Sequence, residues 1–236
     1  MARNHQFAPG SYIHLCNRGV KKMPIRREEG DFWRLLFNLF YFNHTDRAPE
    51  HWRRELEHLG GPAKFLWPEG WGERDPLVSI LALSLMPNHL HLILKERVEG
   101  GISKFAHRVL MGYAKFINEK YEESGSLFQG PFRSRLITDD NDLRYLAVYV
   151  MVKNPFEMYP GGLKKAISNF DDAYERTIQS PFNSLAEYAG RRVSPIVDKD
   201  LLGDLFGTPD SFKEFARDCM LHTSDELEGF SQEFGF

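Results

Sequence analysis

His89-Leu90-His91 is the sharpest chemical feature of the chain. On a β-strand, residues two apart leave the same face, so both imidazoles project together and Leu90 points the other way. Two neutral imidazoles on one stiff strand form half of a divalent-metal site. The bare pattern is weak, since two histidines more often fall on one strand by chance and point at solvent. Its surroundings, Ser84-Leu85-Met86-Pro87-Asn88 before and Leu92-Ile93-Leu94 after, place it on an apolar strand that follows a Pro-Asn turn. His14 belongs to an earlier strand, where a packed or exposed position is the simpler reading and proximity to the pair the alternative. Cys16 and Cys219 make neither a disulfide framework nor a zinc ribbon.

The run Met86-Pro87-Asn88-His89-Leu90-His91-Leu92-Ile93 resembles the His-hydrophobic-His (HUH) motif of single-tyrosine transposases, in particular the REP-associated tyrosine transposases. Further segments are similar to that family in the same order. They are Asn17-Arg18-Gly19, the stretch Gly125-Ser126-Leu127-Phe128-Gln129-Gly130-Pro131-Phe132-Arg133-Ser134, Asn154-Pro155, and Pro181-Phe182-Asn183-Ser184-Leu185 with Tyr188 and Gly190. The likeness runs from about residue 11 to 198, and its motifs are specific jointly rather than singly.

The resemblance implies a single-stranded DNA endonuclease and strand transferase. A tyrosine hydroxyl attacks a phosphodiester, leaving a 5′-phosphotyrosine and a free 3′-OH, and the covalent intermediate keeps the bond energy for rejoining. A metal ion polarises the phosphate. Two histidines and an amide oxygen suit Mg²⁺ or Mn²⁺. Carried onto this chain, the metal ligands are His89, His91 and Asn154. The family places its tyrosine four residues before the Asn, about 40° away on an α-helix. Here that position is Val150, which cannot attack anything, and Tyr149 lies five before, about 140° away on a regular helix. A one-residue π-bulge, or a helix ending before Asn154, restores the alignment. Tyr149 is therefore the expected nucleophile, with Tyr145 and Tyr113 as rivals. Asn154 has a second reading as a plain helix stop, in which case Lys153 is the neighbour that serves as a point charge at the phosphate.

The DNA-binding surface implied by the resemblance is basic with interleaved aromatics. Arg133 and Arg135 alternate on one strand and share a face. Arg18, Lys21 and Lys22 form a second group, and Lys115, with Lys104 and Arg108, lies on the helix after the histidine motif. The partner is single-stranded or hairpin DNA, bound by a monomer or a homodimer. The main alternative is a catalytically silent relative that binds structured single-stranded DNA or RNA. An unrelated metallohydrolase using the histidine pair, or a structural protein, are the remaining readings.

The elements that must position these groups follow from periodicity. Residues 11–17 and 77–85 read as strands, as do 89–94 and 132–137. Residues 28–42, 102–121 and 139–153 read as helices, the last opening on an acidic turn and ending at Asn154-Pro155. Residues 44–76 hold three of the four Trp and four Pro, and read as an insertion packed against the body, or a mobile lid, with a short helix over 50–59. Short helices follow, one over 211–221. The order predicts an α+β fold, a ferredoxin-like antiparallel sheet with helices on one face. Residues 1–165 would be the catalytic domain and 166–236 a helical extension with an acidic tail.

Composition agrees with a folded protein. Of 236 residues, 42% are hydrophobic and 27% charged, which excludes wholesale disorder. No apolar run reaches the roughly 18 residues of a membrane helix. The N-terminus lacks an apolar signal region, so a cytoplasmic location is expected. The net charge of −3 argues against a generic nucleic-acid binder. From Asp198 onward, however, ten acidic residues face three basic ones, a net of −7 that leaves +4 for the preceding body. That asymmetry suggests a mildly basic body with an acidic tail.

Overall fold

The computed structural model describes residues 7–46, 65–222, 227, 229 and 230. Its centre is a four-stranded antiparallel sheet of β1 (Tyr12–Arg18), β2 (Val78–Met86), β3 (His89–Glu96) and β4 (Arg133–Ile137), in the order β2-β3-β1-β4. Helix α1 (Glu29–Tyr41) connects β1 to β2, and α2 (Gly101–Tyr121) connects β3 to β4. This is the β-α-β-β-α-β arrangement that the element order predicts.

Alternation sorts the strand residues between two cores. Ile13, Leu15, Leu90, Leu92 and Leu94 join Phe32, Leu35, Leu39, Phe105, Val109 and Tyr113 of α1 and α2. The two connecting helices thus share one face, as expected. His14, Cys16, His89, His91 and Ile93 point to the other face. Register fixes this, because Cys16 lies opposite His91 and Arg18 opposite His89.

Buried Asp31 ties α1 to the end of α2. Its carboxylate accepts the backbone N–H groups of Arg27 and Glu28, the Lys120 ammonium at 2.7 Å and the Tyr121 hydroxyl. Burial pushes the Asp31 pKa upward, but these donors outweigh it and hold the carboxyl below its usual value.

On the second face, α3 (Asp140–Val148) opens on Asp139, whose side chain accepts the Asp142 N–H. A π-helical turn, Tyr149–Lys153, follows, and then α4 (Asn154–Phe156). The helical path therefore passes through Asn154-Pro155 instead of stopping there. Beyond it run α5 (Gly162–Ser168), α6 (Phe170–Gln179), α7 (Leu185–Tyr188), α8 (Asp200–Phe206) and α9 (Pro209–His222). Residues from both sides of position 165 build one core here, Val148 and Val152 with Phe170, Tyr174, Leu202 and Phe212.

The later segments also cover the outer edge of β2, which would otherwise expose unpaired backbone groups. Phe182 O accepts the Leu85 N–H, Ser184 and Leu83 exchange backbone and hydroxyl bonds, and the Tyr188 hydroxyl donates to Leu81 O. Asp200 pins α8 to the sheet by accepting from Lys95 and Tyr12. The expected helix over 50–59 lies outside the described residues. The described flank of the insertion packs on α1, with Trp67 against Tyr41, and on its own first residue, His44. No helix among the described residues is long and apolar enough to cross a membrane.

Candidate active site

Three of the segments singled out in the sequence meet at one end of the sheet. Gly19 N–H donates to Asn88 O, Val20 N–H to Leu127 O, and Gln129 N–H to Arg18 O. Asn17 Nδ2 donates to Gly130 O. Gly19 is sterically required, because a Cβ there would fall 2.1 Å from Met23 O. Only glycine lets the backbone pass this close.

His89 and His91 leave β3 together, with ring centroids 5.0 Å apart. Asn88 Oδ1 lies 2.7 Å from His89 Nδ1. An amide oxygen only accepts, so His89 Nδ1 carries the proton and Nε2 presents its lone pair. His14, expected to be simply packed or exposed, joins the pair. It is fully buried, and its Nε2 lies 2.8 Å from His91 Nδ1. The strand register brings them together, since His14 and Cys16 share a face of β1 and Cys16 pairs with His91.

Tyr149 sits above this group. Its ring centroid is 5.3 Å from that of His91 and 6.1 Å from that of His14. The π-turn closes with Asn154 N–H donating to Tyr149 O, an i to i+5 bond. Five residues therefore make about one turn, and Tyr149 and Asn154 come to the same side of the helix despite their spacing. Asn154 is 2% exposed, and its Nδ2 is buried with no hydrogen-bond partner. Lys153 is buried as well, its ammonium 5.4 Å from the Tyr149 ring centre and 2.6 Å from Glu157 Oε1.

Cationic side chains surround the histidines, two of them ion-paired. Burial depresses His89 to about 3, helped by Arg18 and Lys153. Burial likewise depresses His14 to about 3, helped by Arg135. His91 also falls well below its ordinary value, through burial and then the repulsion a charged imidazole there would meet from the neighbouring histidines, Lys153 and Arg18. All three imidazoles are thus neutral, the form that can hold a metal. Among the described residues no three His, Cys, Asp or Glu side chains gather as a metal-holding group. A metal here would rest on two imidazoles and the Asn154 amide, whose oxygen takes the orphaned position when the amide turns over. That set fits a cation whose remaining positions are filled by water and phosphate oxygens.

The basic residues divide. Arg18, Arg133 and Arg135 are on the histidine face, with Arg133 opposite Cys16 and Arg135 opposite His14. Arg135 is held by a two-pronged ion pair to Asp142 and lies over Phe230. Lys21 and Lys22 are exposed on the turn after β1, both with positive φ (53° and 62°). Lys115 is not brought to this group. It lines a groove between α2 and the 125–132 loop, on the opposite face of the sheet, 3.5 Å from Glu119. Lys104 and Arg108 do not track along a free surface either, since they donate to the carbonyls of residues 44–46.

The rival tyrosines lie elsewhere. Tyr113 donates to Ile25 O inside the first core, and Tyr145 packs on Phe215. Phe230 covers Tyr149, with centroids 5.5 Å apart.

No family model and no curated protein matches the chain. Among solved structures it is similar to one described as a REP-associated tyrosine transposase bound to a REP hairpin. The identity is 12%, over 83% of this chain and 88% of that one, with a TM-score of 0.47.

Proposed function

We propose that the protein cleaves and rejoins single-stranded DNA at hairpins, through a covalent bond between Tyr149 and a 5′-phosphate. The observation that carries this reading is the π-turn. It sets Tyr149 against His91 and brings Asn154 to the same side, although their spacing in sequence is wrong for an α-helix.

His89, His91 and Asn154 would hold Mg²⁺ or Mn²⁺, which when bound would draw charge from a phosphate oxygen. Asn88 and His14 would orient the two imidazoles. The Tyr149 oxygen forms a bond to phosphorus, the bond from phosphorus to the 3′-oxygen breaks, and the phenolic proton ends on the released 3′-OH. Rejoining reverses these changes. Arg18 and Arg133, on the histidine face, would pair with neighbouring phosphates. Access to Tyr149 requires Phe230 to move off its ring.

The cationic side chains around the histidines support phosphate as the ligand. Three neutral histidines, Arg18, and the ion-paired Arg135 and Lys153 gather with no carboxylate in the donor set. A divalent cation alone is poorly served there, whereas the cation and a phosphodiester together neutralise the pocket. Metal affinity should therefore rise when hairpin DNA is present.

The test uses hairpin DNA labelled at either end, incubated with the protein and Mn²⁺ or with chelator. The reading expects a metal-dependent covalent adduct on the 5′-phosphate side of the break, absent in His91→Ala. Tight hairpin binding without any adduct would favour a silent DNA-binding relative.

A further inference from the structure

Lys153 is a buried cation next to the proposed metal ligand Asn154. A lysine is rarely taken out of water unless it is paired, and a buried pair is costly compared with apolar residues of the same shape. Its counter-ion, Glu157, is 40% exposed while the Lys153 side chain is 8% exposed. The ammonium lies 5.4 Å from the centre of the Tyr149 ring, beside the proposed nucleophile. The π-turn explains how. It places residues four and five beyond Tyr149 on either side of one full turn, so Lys153 and Asn154 straddle the tyrosine.

We infer that Lys153 is a catalytic residue whose ammonium pairs with a non-bridging oxygen of the attacked phosphodiester, while Glu157 holds it in place. This rests on the tyrosine reading above. As the Tyr149 oxygen bonds to phosphorus and the 3′-oxygen departs, negative charge builds on the non-bridging oxygens. A preset ammonium stabilises that charge without reorganising. Lys153→Met keeps the length of the side chain and removes the charge, and Lys153→Arg keeps the charge.

The experiment compares both variants with wild type in single-turnover adduct formation with Mn²⁺, and in hairpin binding across a salt series in chelator. Lys153→Met is expected to slow adduct formation about 10²- to 10³-fold, the scale for losing one such donor. Its salt slope should shrink by about 0.7, the value of one contact to a single-stranded phosphate. Lys153→Arg should recover most of the salt slope and part of the rate. A purely structural lysine would leave the slope unchanged. Adduct formation by Lys153→Met within threefold of wild type, or an unchanged slope in that variant, overturns the assignment and leaves the tyrosine reading standing. Absence of adduct from wild type removes the tyrosine reading and the Lys153 assignment together.

Discussion

Acidification should destabilise the metal-free protein through its buried histidines, by an amount set by their environment. His14 and His89 are depressed to about 3 from 6.5, chiefly by burial. Between those values the unfolded chain binds a proton at each site and the folded chain does not. Stability therefore rises with pH across this window and is lost as pH falls below about 6.5. Each group contributes a slope of about 1.4 kcal/mol per pH unit well inside the window. From pH 7.5 to pH 5 the loss comes to about 2 kcal/mol per histidine, or about 4 kcal/mol for the two. His91 is shifted in the same direction and adds to it. Against a typical total of 5–15 kcal/mol, that is a large share. Urea denaturation of the chelated protein at pH 7.5, 6 and 5 measures the change. His14→Phe should remove about 2 kcal/mol of the pH-dependent loss, whatever it does to stability at pH 7.5. Equal stability at pH 7.5 and pH 5 would refute the reasoning, because it would mean the imidazoles are hydrated or already charged in the folded state.

Other outcomes follow from single contacts. Asp31→Asn leaves the buried position without its charge and weakens the Lys120, Tyr121 and backbone bonds. It should cost about 2 kcal/mol at neutral pH, read by urea denaturation. The Asp31 contribution is present above the unfolded carboxylate pKa and disappears as pH falls through its depressed folded value. Gly19→Ala forces a methyl into Met23 O and should lower the melting temperature, while also disturbing the turn that carries Lys21 and Lys22. Asn88→Ala removes the acceptor that fixes the His89 tautomer. It should weaken Mn²⁺ binding in the presence of DNA about 10- to 100-fold, measured by calorimetry with a non-cleavable hairpin. Lys115→Ala should leave the salt slope of hairpin binding unchanged, since Lys115 lies across the sheet from the histidines, whereas Arg133→Ala should reduce it.

Much of the fold was legible because its signals are local. The apolar alternation of β1 and β3, and the 3.6-residue stripes of α1 and α2, fix the sheet and the helices on one face. Element ends moved by a residue or two, as caps and turns dictate. The histidine pair was equally plain, since strand alternation alone puts His89 and His91 together. His14 was harder, because its meeting with His91 depends on which strands neighbour each other, and no single segment states that. The offset between Tyr149 and Asn154 was visible as an anomaly, and a π-bulge was one of its two resolutions. Which one the chain adopts depends on the packing of Val150, Met151 and Val152 in the second core, beyond what helical periodicity encodes. The basic residues misled most. Lys104, Arg108 and Lys115 share a helix side in sequence, yet two of them cap a neighbouring turn and the third faces a groove across the sheet. Charge type carries no information about which partner a long side chain will find.

The central claim is that Tyr149, aligned by the π-turn, becomes covalently joined to DNA. The most direct measurement is mass spectrometry of the protease-digested adduct formed with hairpin DNA and Mn²⁺. The account predicts a phosphonucleotide on Tyr149, with no adduct in Tyr149→Phe. A modification on Tyr145 or Tyr113, or an adduct that survives in Tyr149→Phe, would contradict it.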